Sequence, residues 1–430
     1  MLFAEDFLHH IWKFKLFDFR NLQTTNGETL EIISAGIHNH HAGPDFHDVR
    51  VRIGGTLWAG NAEIHINAGD WHKHNHTLDE AYGNVVLHVV YRNNEPVLLF
   101  DGKAVPTLEL VNRVPESLYL RYHQLVYGNQ QFIPCEGTIK VVSTVNLQSW
   151  LTRVLIERLQ NKSLEVINRL QHNRGNWEET FYQFLAANFG FKINALPFEM
   201  LAKSLPQGIL GKHKNNPLQV EALIFGQAGF LEGNLTDDYP VKLKGEYSFL
   251  QKKYNLKPIE KHLWKFMRMR PSNFPTIRLA QFAALAFRSN HLFSKILETD
   301  GVAQLRKLFS NIVVNEYWAD HYRFDVVSKS ITKNFGNTSV DLILLNTVTL
   351  FLYSYGSYLN LQAFVDKSLE LLENLPAEEN FIINEFNNLG VKTKSAFDSQ
   401  ALLELKNSYC NHKKCLQCGV GNQILNLNGV

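Results

Sequence analysis

The spacing of the apolar residues changes once along the chain, and that change limits the folds open to it. Between residues 29 and 100 short runs carry strand character. They are TLEIISAG (29–36), FHDVRVRI (46–53), TLWAGNAEIHI (56–66), NVVLHVVYR (84–92) and PVLLF (96–100), with turn residues at Asn26-Gly27, Gly54-Gly55, Asn93-Asn94 and Asp101-Gly102. From about Val145 the apolar residues instead recur three and four apart, as in SWLTRVLIERLQNKSLEVINRL and LQAFVDKSLELLENL, which is the period of a helix. A segment patterned for one period does not bury its apolar face in the other. The expectation is therefore an α+β domain over 1–130 with a largely antiparallel sheet, a junction over 131–144 holding Cys135, a mainly α-helical domain over 145–405, and a cysteine-rich tail over 406–430. Phe3, Phe7, Leu8, Ile11, Trp12, Phe14 and Leu16 predict an amphipathic helix over 3–17, ahead of the first strand.

Bulk properties exclude little. A chain of 430 residues, 45% apolar and 20% charged, reads as an ordinary globular protein, and its net charge of +2 is too small to hold a polyanion by itself. A nucleic-acid partner would need a local patch. Glu5 and Asp6 stand where a signal peptide carries positive charge, which predicts a cytoplasmic protein. The most apolar run, Leu342 to Leu359, is broken by Asn346, Thr347, Thr349 and Ser354, so a buried core helix is expected rather than a membrane span.

The chemistry concentrates in GPDFHDVRVRIGGTLWAGNAEIHINAGDWHKHNH, residues 43–76. Its turn decides which side chains meet, because a slip of one residue moves every side chain to the other face. A two-residue turn at Gly54-Gly55 would set Asp45 opposite Ile64, with Glu63 and His65 pointing away from it. A three-residue Gly54-Gly55-Thr56 loop sets Ile53 opposite Leu57, His47 opposite Glu63 and Asp45 opposite His65. The second register is the expected one, since it gathers Asp45, His47, Glu63 and His65 on one face. Carboxylates and imidazoles meeting on a buried face need hydrogen bonds or a cation. Carboxylates suit Mg²⁺ or Mn²⁺, and imidazole favours Mn²⁺ or Zn²⁺. A metal-free polar network is the competing reading.

These residues resemble the core of the PD-(D/E)XK phosphodiesterases, the superfamily of restriction-type and RecB-like nucleases. Pro44-Asp45 precedes one strand, Glu63-Ile64-His65 ends the next, helix 3–17 precedes both and NVVLHVV follows. The resemblance implies a restriction-endonuclease-like α-β-β-β-α-β core in which Asp45 and Glu63 hold Mg²⁺ or Mn²⁺. It places His65 where the superfamily has a lysine, and a neutral imidazole supplies no permanent positive charge. The chain as a whole also looks similar to an uncharacterised bacterial family, through WKFKLF (12–17), HAGPDF (41–46), GNAEIH (60–65), DWHKHNH (70–76), VVLHVV (85–90), IPCEG (133–137) and CLQCGVG (415–421). That likeness brings no activity with it.

Nine of the 18 histidines fall between His38 and His88. If 71–82 is helical, His72, His76 and Asp79 share a face with Tyr82 a turn beyond; if extended, His74 and His76 share one instead. The resemblance gives Asp79 and Tyr82 a supporting part. His88, inside an apolar strand, must find a partner, and Glu5 offers a further carboxylate. In WKFMRMRPSNFPTIRLAQ (264–281), Arg268, Arg270 and Arg278 flank a turn where Asn273 would cap a helix opened by Pro275; arginines at a helix start suit a phosphate backbone, or else they hold an inter-helix turn. Cys135, Cys410, Cys415 and Cys418 supply the four thiolates of a zinc site or an iron–sulfur cluster, with His412 as a substitute for Cys135. The layout looks like that of RecB-like and CRISPR-associated nucleases carrying such a cluster, although there the lone cysteine usually precedes the nuclease core.

The function expected from all this is a metal-dependent phosphodiesterase, a nuclease acting on DNA or RNA through Asp45, Glu63 and His65. The alternatives are a non-catalytic nucleic-acid-binding or scaffold protein, and a histidine-rich metal hydrolase of small molecules.

Overall fold

The structure, a computed structural model, describes residues 3–128, 131–289, 291–329 and 335–427. It divides into two compact units. The first gathers the chain up to Leu151 with Asn388–Val391 and everything from Glu404 onward; the second holds Thr152–Asn387 and Lys392–Leu403. The tail is thus part of the first unit rather than a separate piece, and the division falls inside a long helix, Thr144–His172.

The first unit opens with helix α1, Glu5–Lys13, which buries Phe7, Leu8, Ile11 and Trp12. It stops short of the expected residue 17 because Lys15 takes a left-handed φ of 51°, which ends a right-handed helix. Six strands follow: β1 (Leu30–Ser34), β2 (Ile37–His38), β3 (Phe46–Ile53), β4 (Thr56–Asn67), β5 (Val85–Arg92) and β6 (Thr107–Glu109). Their order is β1-β3-β4-β5-β6, with β2 paired to the far end of β3. The β1/β3 and β3/β4 pairs are antiparallel, but β4/β5 and β5/β6 are parallel, so the sheet is mixed rather than largely antiparallel.

Strand β5 is buried at every position but Arg92, whereas β3 alternates. A strand covered on both faces reads as a continuous apolar run, and that is the character of NVVLHVV. PVLLF forms no strand: it makes only an isolated bridge, Leu98 to Ala104, between Pro96 and the Asp101-Gly102 turn. The three-residue β6 was not expected, being too short to show a period.

A parallel connection needs a crossover of a dozen residues or more. Residues 68–84 supply it as helix α2 (Asp70–Lys73) and two 3₁₀ turns, His76–Leu78 and Glu80–Tyr82. Asn75 at φ 61° prevents a single helix here. Trp71 anchors the crossover: it is fully buried, packs with Ala68, Tyr82, Val85 and Val90, and its indole donates to Thr77 Oγ1 at 3.0 Å. Helix α3, Glu116–Tyr127, follows the sheet.

The second unit is mainly helical around a phenylalanine-rich core that includes Phe181, Phe189, Phe198, Phe225, Phe282 and Phe293. Asn337–Leu359 forms a helix long and apolar enough to cross a membrane, yet 67% of its most apolar window lies buried inside the protein. The unit also holds a small ribbon of His321–Arg323 with Val326–Val327, which the sequence pattern does not announce.

Candidate metal centre

The hairpin does not turn as expected. Gly54 and Gly55 have φ of 54° and 90°, so both take the left-handed conformations of a two-residue turn, and Ile53 pairs with Thr56 and Val51 with Trp58. Two successive glycines reach this geometry without strain, and its twist matches that of the strands. The three-residue loop, with its pairing of Asp45 to His65, is therefore incorrect.

Continued to the end, the observed register would separate Asp45 from Glu63. A bulge prevents this: Val49 pairs with Gly60 but Phe46 with Ala62, so β3 carries one extra residue between them. Asp48 in that stretch has a φ of 56°. One inserted residue restores the face that the tight turn would have lost. Asp45 and Glu63 consequently meet: the Asp45 N–H donates to Glu63 Oε2 at 3.0 Å, and the Ile64 N–H donates to Asp45 Oδ2 at 3.0 Å.

Around these carboxylates stand imidazoles from three elements. His65 lies two residues along β4 from Glu63, with Nε2 at 3.7 Å from Glu63 Oε1. His76, from the crossover, places Nε2 at 3.2 Å from the same oxygen. His74 Nδ1 is 3.1 Å from His65 Nε2, and one ring nitrogen each of His65, His74 and His76 lies within 4.8 Å of the others. His88 is paired beside Glu63 across the parallel β4/β5 ladder, and its Nε2 meets His65 Nδ1 at 2.9 Å. The other nitrogen, His88 Nδ1, is buried without a hydrogen-bond partner. Tyr82 stacks on His76 at 3.9 Å between ring centroids, and Trp71 closes the cluster edge-on to His76 and His88.

Helix α1 contributes two further groups, four residues apart on one face. His9 Nε2 lies 3.2 Å from Asp45 Oδ2. Glu5 lies within electrostatic reach of Asp45 and Glu63. His9 is the residue that sequence reasoning missed, although Glu5 and His9 at an i, i+4 spacing on an amphipathic helix carried the signal. His38 also belongs to this edge, its ring 5.2 Å from that of His9.

Burial and mutual charge set the protonation states. Burial, reinforced by the neighbouring His88, His76 and His74, pushes His65 down to about 3, and burial does the same to His88. Both rings are therefore neutral at physiological pH, the state in which imidazole ligates a metal. Burial, with the charges of Asp45 and Glu63 adding to it, pushes Glu5 up to about 7. Although burial disfavours its charge, Asp45 is held below the ordinary carboxylate range by the hydrogen bond and charge of His9. His9 is raised in turn, the charge of Asp45 outweighing its burial. Glu63 is raised by burial and by the charge of Asp45. Two carboxylates crowded so that one resists ionisation are what a bound cation would relieve.

Other expected residues stand elsewhere. His47 turns to Asn61, its Nδ1 3.3 Å from Asn61 Oδ1. Asp79 is exposed and caps the next turn, its Oδ1 accepting the Ala81 N–H at 2.9 Å. His72 is exposed and reaches only the Pro96 carbonyl, at 3.5 Å.

The arginine set of the second unit is also revised. Pro275 opens the helix Pro275–Arg288, but its N-cap is Phe274 and no side chain caps it. Asn273 Oδ1 instead accepts from Arg278 at 2.6 Å. Arg278 is buried, donates also to Gln281 Oε1 at 3.0 Å, and lies over the rings of Phe191 and Phe335. A guanidinium so occupied does not face a phosphate backbone. Arg268 and Arg270 are exposed.

No curated protein and no solved structure matches this chain. Residues 5–381 match the model of a family described only as a protein of unknown function, DUF2851, and the chain belongs to that family.

Proposed function

We propose that this protein is a metal-dependent hydrolase of phosphodiesters, a nuclease in the broad sense, with its centre at the ends of β3 and β4. The observation that carries the reading is the meeting of Asp45 and Glu63 beside the histidine trio His65, His74 and His76. The order of elements supports it: a helix, an antiparallel β1/β3/β4 meander and a parallel β5 reached by a helical crossover are the layout that the restriction-endonuclease-like resemblance implies.

Asp45, Glu63, His74 and His76 are the residues that would hold the ion. Imidazole-rich donors favour Mn²⁺ or Zn²⁺ over Mg²⁺. The ion would polarise a phosphoryl oxygen and acidify bound water. His65 has both nitrogens occupied, by His88 and His74, so it orients its neighbours rather than moving a proton. His9, which Asp45 holds toward the charged form, offers the positive charge that a lysine would supply at the His65 position. Nucleic acid is the proposed partner, with Arg268 and Arg270 as exposed cations of the second unit.

The histidine-rich donor set also suits a hydrolase of small molecules, and substrate preference separates the two. The test is cleavage of plasmid, single-stranded DNA and RNA, beside a small phosphodiester ester, with Mn²⁺ or Zn²⁺ and after chelation. Metal-dependent cleavage of nucleic acid, lost in Asp45→Asn and in Glu63→Gln, is expected. Turnover of the ester alone favours the small-molecule reading. Failure to bind either metal sinks both readings and leaves the non-catalytic one.

A further inference from the structure

The second unit carries a cationic loop to which the buried Arg278 contributes no free charge. Residues 265–274 run from the buried Trp264 to Pro275, the first residue of the helix Pro275–Arg288. Both ends are held. The Trp264 indole donates to the Ala228 carbonyl at 2.8 Å, and the buried Asn194 side chain exchanges two hydrogen bonds with the Lys265 backbone, at 2.9 and 3.0 Å. At the other end the Asn273 N–H donates to the Arg270 carbonyl at 2.8 Å, and the Phe274 N–H to that of Pro271 at 3.0 Å. A fixed backbone thus presents Lys265, Arg268 and Arg270, all three exposed.

The two phenylalanines of the loop close on each other, with ring centroids 5.1 Å apart and planes at 80°. A third arginine reaches them from the ribbon of His321–Arg323 with Val326–Val327, which the Thr276 hydroxyl ties to the helix start by donating to the Tyr322 carbonyl. The Arg323 guanidinium lies over both rings, 4.4 Å from the centroid of Phe266 and 5.2 Å from that of Phe274, yet the residue is exposed. Aromatic faces fix a guanidinium plane without using its N–H donors. Among the described residues no carboxylate pairs with Lys265, Arg268, Arg270 or Arg323. The acidic groups beside the ribbon are engaged elsewhere: Asp320 Oδ1 lies 2.7 Å from His321 Nδ1, and Asp325 Oδ1 accepts the N–H groups of Thr236 and Asp237. In a chain of net charge +2, four cations without a countercharge on one loop and its neighbour are a local excess.

We infer that Lys265, Arg268, Arg270 and Arg323 form a binding surface for single-stranded nucleic acid, in which the three loop cations meet phosphates and Arg323, backed by Phe266 and Phe274, stacks on a base. The choice of nucleic acid among polyanions rests on the phosphodiesterase reading; the preference for unpaired strands rests on Arg323. A duplex hides the faces of its bases, whereas a single strand offers both phosphates and base faces, and a guanidinium plane is a platform for the latter. Each phosphate met by a cation releases counterions, so that part of the affinity falls with salt. A stacked base adds a part that salt screens little.

The test is fluorescence anisotropy of the full-length protein with labelled oligonucleotides in a chelating buffer, where metal-dependent cleavage is blocked. A mixed-sequence single strand should bind about tenfold or more tighter than the same sequence as a duplex. Lys265→Ala with Arg268→Ala and Arg270→Ala should weaken the single strand about tenfold or more, and should reduce the slope of log affinity against log salt by about 0.7 for each cation removed. Arg323→Lys keeps the charge and loses the plane, so the salt slope should stay while the preference for single strands shrinks. Should Arg323→Lys not fold, the loop variant carries the test, since its three side chains are exposed. Equal binding of strand and duplex, tighter binding of heparin or of phosphatidylserine vesicles, or unchanged affinity in the loop variant overturns the inference. Binding as expected without metal-dependent cleavage sinks the catalytic reading alone; cleavage with unchanged affinity in the loop variant sinks this surface alone.

Discussion

Asp45 and Glu63 hold each other in place through their strands. The Asp45 N–H donates to Glu63 Oε2 while Asp45 Oδ2 accepts the N–H of Ile64, both at 3.0 Å. Neither Asp45 Oδ1 nor Glu63 Oε1 takes part in these two backbone bonds, and Glu63 Oε1 faces His76 Nε2 at 3.2 Å. Removing either charge should therefore weaken a divalent ion without unfolding the sheet. Asp45→Asn and Glu63→Gln are each expected to lower Mn²⁺ or Zn²⁺ affinity tenfold or more by calorimetry, with an unchanged circular dichroism spectrum.

The bulge is a second place to probe the centre. Asp48 is exposed with φ 56°, a conformation that glycine adopts without strain. Asp48→Gly should be neutral or stabilising by up to about 1 kcal/mol in a denaturation midpoint. Deleting Asp48 should abolish metal binding, because the continued register turns Asp45 away from Glu63. Equal metal affinity in the two variants would show that the bulge does not set the site.

His88 orients His65 from the neighbouring strand and touches neither carboxylate through a hydrogen bond. Groups that hold a ligand from behind typically account for 10–100-fold in metal affinity. His88→Leu should weaken metal binding by about that factor while Asp45 and Glu63 remain in place. An unchanged affinity would remove His65 from the proposed centre.

Glu221, in the second unit, offers a pH test away from any metal. Burial pushes its carboxyl up to about 7, with Tyr239 opposing the shift. The folded state keeps this proton where the unfolded chain has lost it. The contribution to stability is thus complete below about 4.5 and disappears as pH rises toward about 7. Glu221→Gln, which cannot ionise, should match the parent protein at pH 4 and exceed it at pH 8 by about 1–3 kcal/mol in urea denaturation.

Arg278 and its exposed neighbours should separate cleanly. Arg278→Ala removes a buried guanidinium bonded to Asn273 and Gln281, and is expected to cost about 2–4 kcal/mol of stability. Arg268→Ala with Arg270→Ala should change stability by less than about 0.5 kcal/mol and weaken any nucleic-acid binding more at low salt than at high.

The sequence by itself determined the division between a strand-patterned start and a helical remainder, because hydrophobic period is a local property of the chain. It also pointed to residues that the fold brings together: Asp45 stands just before one strand and Glu63 and His65 in the next, and the crowd of histidines after them is visible in the letters. Only the tertiary structure decided how they meet. A two-residue turn and a one-residue bulge have opposite effects on register, and neither leaves a clear mark in FHDVRVRIGGT, since backbone φ at Asp48 depends on pairing with β4. His74 and His76 could not be assigned a common direction from spacing, because Asn75 breaks the helix between them. Arg278 looked like a surface cation until its partners at Asn273, Gln281, Phe191 and Phe335 were in place. Register, side-chain direction and burial depend on contacts between segments far apart in the chain, and such contacts exist only once the fold has formed.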